Sequence, residues 1–482
     1  MTPLLVFGII AGYFCMLLLI SYFTSGKADN LTFFTANRRS PWYLVAYGMV
    51  GASLSGVTFI SVPGEVGNSG WTYLQFVMGN MVGYGVIALV LIPLFYRLNL
   101  ISIYEYLLQR LGRNSYKTGA SFFLLSQTIG ASFRLFLAAG VLQIAFFDAF
   151  EIPFYITVFV TIVLIWLYTY RGGIKTIVWT DTLQTTFLLL AVVFCIYIVS
   201  QHLQKDFSGL ISTVSTSELS RVFDWDWRSG QNFYKQFLAG IFITIVMNGL
   251  DQNVMQKNLT CKNRSEAQKN IFWFALIFLV SNVFFLSLGV ILYEYADVNQ
   301  ISLPLRSDDL YPLLALNYFG LGVGIMFMLG IVAAAYSSAD SALTALTTSF
   351  CVDILDINKH EVKNQKRTRL WVHAGFTMVV FVVIVIFREI NDQSVVSSVF
   401  RAAGFTYGPL LGLFAFGLAL KRPVYDIIVP YLCLASPIIS FVIDRNSKVL
   451  FNGYTFGFEI LLLNGSITFL LLYLSGFFLK NK

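Results

Sequence analysis

Apolar stretches of about 20 residues recur along almost the whole chain, separated by short polar connections. Thirteen can be drawn, at roughly 3–25, 42–65, 71–97, 118–148, 152–170, 176–201, 233–256, 271–295, 320–352, 371–387, 394–420, 424–442 and 454–479. A helix rises about 1.5 Å per residue, so stretches of this length suit a hydrocarbon layer of about 30 Å. The pattern predicts an all-α integral membrane protein with about thirteen transmembrane helices. Connections between them stay short, which leaves no room for a separate soluble catalytic module.

Composition agrees. Of 482 residues, 57% are hydrophobic and only 12% charged, with 46 Phe and a mean hydropathy of +0.72. A soluble chain of this length cannot bury so much apolar surface, so the solvent is lipid. The net charge of +7 would suggest nucleic acid in a soluble protein. Here the basic residues have another use. With the N-terminus outside, 22 of the 32 Lys and Arg fall in cytoplasmic connections, Lys257 among them, and 8 fall outside. That asymmetry predicts a multi-pass plasma-membrane protein with an outer N-terminus, a cytoplasmic C-terminus and no nucleic-acid partner. The first run lacks a basic lead and a small-residue cleavage pattern, so it is expected to be a retained helix. Five scattered cysteines form no disulfide or metal framework.

Small and polar residues interrupt two spans. If the first span is an extra helix and the next ten a core, the first core helix reads Gly48-Met-Val-Gly-Ala-Ser-Leu-Ser-Gly-Val-Thr58, and the sixth carries Asn248-Gly-Leu-Asp-Gln-Asn253. Irregular backbone at membrane depth survives only where it lines a cavity or site. Interruptions opening two successive five-helix halves, 42–201 and 233–420, point to an inverted-repeat transporter with a midplane site. Close helix packing through small residues is the alternative.

The eighth core helix carries the most distinctive chemistry, Ala333-Ala-Ala-Tyr-Ser-Ser-Ala-Asp-Ser-Ala-Leu-Thr344. Ala334, Ser337, Ser338 and Ser341 share one face at helical spacing. Two hydroxyls plus carbonyls freed by a broken partner are hard ligands suited to a small cation that must bind reversibly. Asp181 and Asp340 lie on the cytoplasmic side of these serines and, with nearby threonines, are candidates for a second cation site or an exit path. Pairing with an arginine, or capping, is the alternative, since a carboxylate in a span is costly. Arg134 and Arg401 also fall inside spans. Asp251 is a candidate partner for Arg134, whereas Arg401 is expected to face either the substrate or an outer vestibule. No phosphate-cradling motif, triad or nucleophile elbow is present, so neither ATP nor enzymatic catalysis is expected.

With these residues in hand, the chain resembles the sodium/solute symporter family, most closely its sialic acid and monocarboxylate carriers. The resemblance rests on Gly51–Glu65, Gly172–Gln184, Gln256-Lys257 through Ser265–Gln268, and Ala334–Ser341. It implies one transmembrane domain over 1–482 with a LeuT-like five-plus-five inverted-repeat core, one extra N-terminal helix and two accessory C-terminal helices at 424–479. It also implies a main sodium site formed by carbonyls of Gly51, Leu54 and Ala334 with hydroxyls of Ser337 and Ser338. A second sodium site would use Asp181, Ser337, Asp340 and Ser341. Position 340 departs from the sialic acid carriers, which have serine there. Phe278 stands where sugar carriers place a lysine, Arg401 where they place a glutamine, and Ser53 where proline carriers place an aspartate. Arg134 resembles the arginine that sialic acid carriers aim at the substrate carboxylate. By position, Ser53, Thr58, Gln75, Asn80, Asn248 and Arg401 join it as candidate pocket residues.

The resemblance implies import of a small organic solute by alternating access, with Na+ as coupling ion and no organic cofactor. A carboxylate-bearing solute, sialic acid foremost, is the leading expectation, and the carrier is expected to act as a monomer. A sodium-coupled carrier of sugars or other neutral solutes, and a proton-coupled carrier, are the alternatives.

Overall fold

The structure is a computed structural model describing residues 3–25, 36–357, 362–390 and 395–477. Lys27, Lys359, Lys480 and Lys482, counted among the cytoplasmic basic residues, lie outside the described residues. Among the described residues the secondary structure is helical, apart from one isolated bridge between Ser40 and Cys261. Each of the thirteen apolar stretches overlaps a helix over at least part of its described length. Among the described residues eight helices qualify as spans by length and composition, or ten when two bent pairs are counted as one span each.

The elements that position the site are few. Helix α1 is Pro3–Ser25. The first core span is split into α2, Trp42–Ser53, and α3, Gly56–Ser69. Helix α4, Tyr73–Val86, runs on through a π-helical turn to Arg97, and α5 is Arg113–Ala145. Helix α6, Phe154–His202, holds two apolar stretches, Phe154–Thr169 and Ile174–His202. The sixth core span is α7, Phe233–Thr244, with a π-helical turn to Gly249, followed by the short α8, Gln252–Asn258, bent by 68°. Then come α9, Arg264–Val298, α10, Gly320–Ser349, and α11, Val362–Ile390. Helix α12, Val395–Thr406, and α13, Gly408–Ala419, meet at a 46° bend. Helices α14, Val429–Arg445, and α15, Ile460–Ser475, complete the chain.

Lipid tails are as apolar as leucine, so helices associate through close packing and buried polar contacts more than through hydrophobicity. Glycines make that packing possible where α4 crosses α7. A Cβ on Gly79 would lie 2.1 Å from Phe237 O, and one on Gly240 would lie 2.1 Å from Phe76 O. Helix α10 is deeply enclosed: from Ile331 to Ser349 every residue is buried. It packs chiefly on α6, with α5, α2 and α3 alongside. Serines, threonines and a carboxylate thus sit at the centre of the molecule, where only internal partners can satisfy them.

Both interruptions read from the sequence are real breaks. A third, between α12 and α13 at Tyr407, has no comparable run of polar residues and was not anticipated.

Candidate functional site

Helix α2 ends because Leu54 (φ −79°, ψ 68°) and Ser55 (φ −67°, ψ 176°) leave the helical region before α3 restarts at Gly56. The break deprives the last carbonyls of α2 of their regular donors. One of them, Ala52 O, accepts from Ser338 Oγ on α10 at 3.3 Å. Gly51 N donates to Thr185 Oγ1 on α6 at 3.0 Å, and a Cβ at Gly51 would lie 2.2 Å from that oxygen. Glycine is therefore required for α2 to lie this close to α6. Gly51, Leu54, Ala334, Ser337 and Ser338 are all buried, at the junction of the broken helix with α10. The serines face protein, not lipid.

Ser337 points to the neighbouring carboxylate. Its Oγ donates to Asp181 Oδ1 at 2.6 Å. The other carboxylate oxygen receives Lys257 Nζ at 2.6 Å, in an ion pair whose side chains are 1% and 3% exposed. Asp340, on α10, accepts from Tyr168 OH at 2.9 Å and from Ser341 Oγ at 3.1 Å. The proposed second-site residues Asp181, Ser337, Asp340 and Ser341 thus form one buried polar cluster. Asp181 pairs with a basic residue, as one alternative reading of the sequence allowed, but the partner is a lysine.

Lys257 is the residue sequence reasoning misplaced. Ending the sixth core span at 256 left it in a cytoplasmic connection. The bend after Gly249 instead turns α8 back into the protein, and Lys257 is buried. The Asn248–Asn253 interruption was the available signal, since a chain that breaks in mid-lipid need not continue outward.

Beside this cluster lies a cavity of about 110 Å³, far larger than a single ion needs and roomy enough for several waters or a small organic solute. Ser53, Thr58, Asn80, Arg134 and Asn248 line it together, as does Phe278. Arg134 Nε donates to Gly130 O at 2.9 Å, and among the described residues no acid lies within 4 Å of its guanidinium. The expected pairing with Asp251 is not made. The Asp251 carboxylate receives Tyr407 OH at 2.5 Å and caps α8 through Asn253 N at 2.8 Å.

Two expected pocket residues lie elsewhere. Gln75 is fully buried but holds the loop before α7, donating to Thr72 O and Gln231 O and accepting from Asp224 N. Arg401 is 58% exposed and pairs with Asp444 on α14 at 2.9 Å. Neither lines the cavity.

A model of the sodium:solute symporter family matches residues 33–424. A sodium/sialic acid symporter of Aliivibrio fischeri is 26% identical over 417 residues, 83% of this chain and 80% of that protein. The human sodium/iodide cotransporter is 24% identical, over 85% of this chain and 65% of its own length. Among solved structures, a Na+-coupled sialic acid symporter in a substrate-bound, outward-open state superimposes with a TM-score of 0.82 at 20% identity, covering 98% of this chain and 97% of the other. At that identity the likeness speaks to the fold, which is the LeuT-like arrangement that the family resemblance implied.

Proposed function

The chain belongs to the sodium:solute symporter family and is a sodium-coupled solute symporter, and from that premise we propose that it imports a small carboxylate-bearing organic solute through the central cavity. The observation that carries this reading is Arg134. A guanidinium cannot shed its charge, so at membrane depth it needs an anion or water. Here it borders the cavity, and among the described residues no acid lies within 4 Å of it. An arriving carboxylate supplies the missing charge and matches the planar fork of donors. The names of relatives agree in sign: sialic acid, iodide and monocarboxylates are all anions. Sialic acid is the first candidate.

Sodium binds between carbonyls of Gly51, Leu54 and Ala334 and hydroxyls of Ser337 and Ser338. This joins the broken α2/α3 to α10 and favours closure over the solute. Inward opening parts these elements and releases both. Each charge moved inward gains about 2.3 kcal/mol per 100 mV, and a tenfold sodium gradient adds about 1.4 kcal/mol per ion. The positive-inside asymmetry supports an outer N-terminus in the plasma membrane.

The test is solute counterflow in proteoliposomes against a panel of acids, sugars and amino acids, with and without sodium. Sodium-dependent exchange of a carboxylate is expected. Exchange of neutral solutes alone would refute the anionic reading.

A further inference from the structure

Two broken helices meet the same buried cluster on α6 and α10, and each is tied to it differently. The first, α2/α3, reaches α10 through the long Ser338–Ala52 contact of 3.3 Å, at the junction assigned above to sodium. The second, α7/α8, reaches α6 through Lys257 Nζ, 2.6 Å from Asp181 Oδ2. The cation proposed for the first junction comes and goes, whereas the cation of the second is covalently part of the chain.

Asp181 is shared between the two. Its Oδ1 accepts from Ser337 Oγ, itself a sodium-site hydroxyl, while its Oδ2 holds the ammonium. Both carboxylate oxygens are therefore engaged by donors from the chain itself. A carboxylate in so enclosed a place is costly to leave unpaired. We propose that Lys257 is a tethered counter-ion, standing in for sodium on Asp181 while the carrier is empty and so allowing the empty carrier to return to the outside. When sodium arrives on Ser337, two cations share Asp181, with Asp340 one turn away in the same cluster, and the repulsion between them sets how readily the ion leaves again.

This role of Lys257 rests on the symporter reading and goes beyond what that reading requires. Without the ammonium, Asp181 would draw sodium more strongly, and the empty carrier would carry an uncompensated buried charge through its return. Net uptake needs that return. Exchange of internal for external solute at saturating sodium does not, because the carrier shuttles loaded in both directions.

The experiment compares purified full-length wild type with Lys257→Met, which keeps the length but loses the charge, and Lys257→Arg. Three quantities are read: the sodium concentration giving half-maximal protection against thermal unfolding, net sodium-driven uptake, and solute exchange at saturating sodium. For Lys257→Met the half-maximal sodium concentration is expected to fall about tenfold. Net uptake should fall at least tenfold while exchange changes less than threefold, and Lys257→Arg should restore net uptake to within about threefold. An unchanged sodium concentration, with uptake and exchange reduced by the same factor, would show a purely structural lysine and overturn the proposal. If Lys257→Met does not fold, the double variant Asp181→Asn/Lys257→Met removes both charges together. Its ratio of net uptake to exchange should return to the wild-type value, and a ratio still tenfold low would equally overturn the proposal. Wild-type protein with no sodium-dependent exchange would instead overturn the symporter reading beneath it.

Discussion

Replacing Ser338 by alanine separates ion binding from folding. Its hydroxyl donates to Ala52 O at 3.3 Å, a long and weak contact, and the residue is 2% exposed. Alanine fills the site except for one oxygen, so no cavity opens. The loss to folding is that of one weak neutral hydrogen bond, about 0.5–1 kcal/mol. The loss to sodium binding is larger, because an oxygen facing a full charge contributes about 1.5–3 kcal/mol. At about 1.4 kcal/mol per decade, that corresponds to roughly a 10- to 150-fold rise in half-saturating sodium. The assay is the sodium dependence of solute uptake in proteoliposomes, beside thermal unfolding in detergent without sodium. The sodium-free midpoint should move by no more than about 2 °C. A half-saturating sodium concentration within threefold of wild type would remove Ser338 from the ion site.

Other expectations follow from the same geometry. Arg134→Gln should raise the KM for a carboxylate solute at least about tenfold, the cost of a lost charge-assisted contact, in initial-rate uptake. Arg401→Gln should leave that KM within about twofold, because its exposed pair with Asp444 contributes roughly 0–1 kcal/mol and stands away from the cavity. Gly51→Ala places a Cβ 2.2 Å from Thr185 Oγ1 and should destabilise the fold by about 1–3 kcal/mol, with partial recovery on adding Thr185→Ala, read by thermal unfolding. Asp308, in the loop between α9 and α10, accepts from Val395 N at 3.1 Å, and burial pushes its carboxyl above the ordinary aspartate range. A raised folded-state value means the folded form binds its proton more tightly. The burial penalty is therefore absent at low pH and grows as pH rises through the folded value. Asp308→Asn keeps the acceptor without the charge. It should melt no lower than wild type near neutral pH and lose any advantage below the ordinary aspartate pKa, and a variant melting lower at neutral pH would contradict this.

The sequence revealed more about where the backbone breaks than about what each break brings together. A run such as Gly48–Thr58 is conspicuous because lipid punishes unpaired amides, so its breakage at Leu54 and Ser55 was legible in one dimension. The serine face of α10 was legible for a related reason, since helical spacing fixes which residues share a face. The bend at Tyr407 carried a different mark, the Gly408-Pro409 pair at which the next helix restarts, and a search for polar runs passes over it. Lys257 and Arg401 illustrate the deeper limit. Both are cations near span ends, and hydropathy treats them alike. A 68° bend buries the first against Asp181, while the second reaches Asp444 at the surface. No one-dimensional count reveals which acid lies across a gap in space.

Arg134 and Asp251 show how that limit bears on selectivity. Both line the cavity, and opposite charges within a span invite the inference that they neutralise each other. Had they done so, the cavity would hold a closed ion pair and offer an arriving anion little. What prevents it is the competition for Asp251. As residue before α8 it must cap that helix through Asn253 N, and the bend between α12 and α13 delivers Tyr407 OH to its other oxygen at 2.5 Å. Two donors satisfy the carboxylate, and the guanidinium is left facing open space. The third helix break is thus what leaves Arg134 uncommitted in a cavity whose other charged lining residues, Asp251 and Lys257, are already paired. The two neighbouring aspartates divide the work. Asp181 is engaged by Lys257 and Ser337 in the ion cluster, Asp251 is engaged at the helix bends, and Arg134 is the charge left to meet the solute.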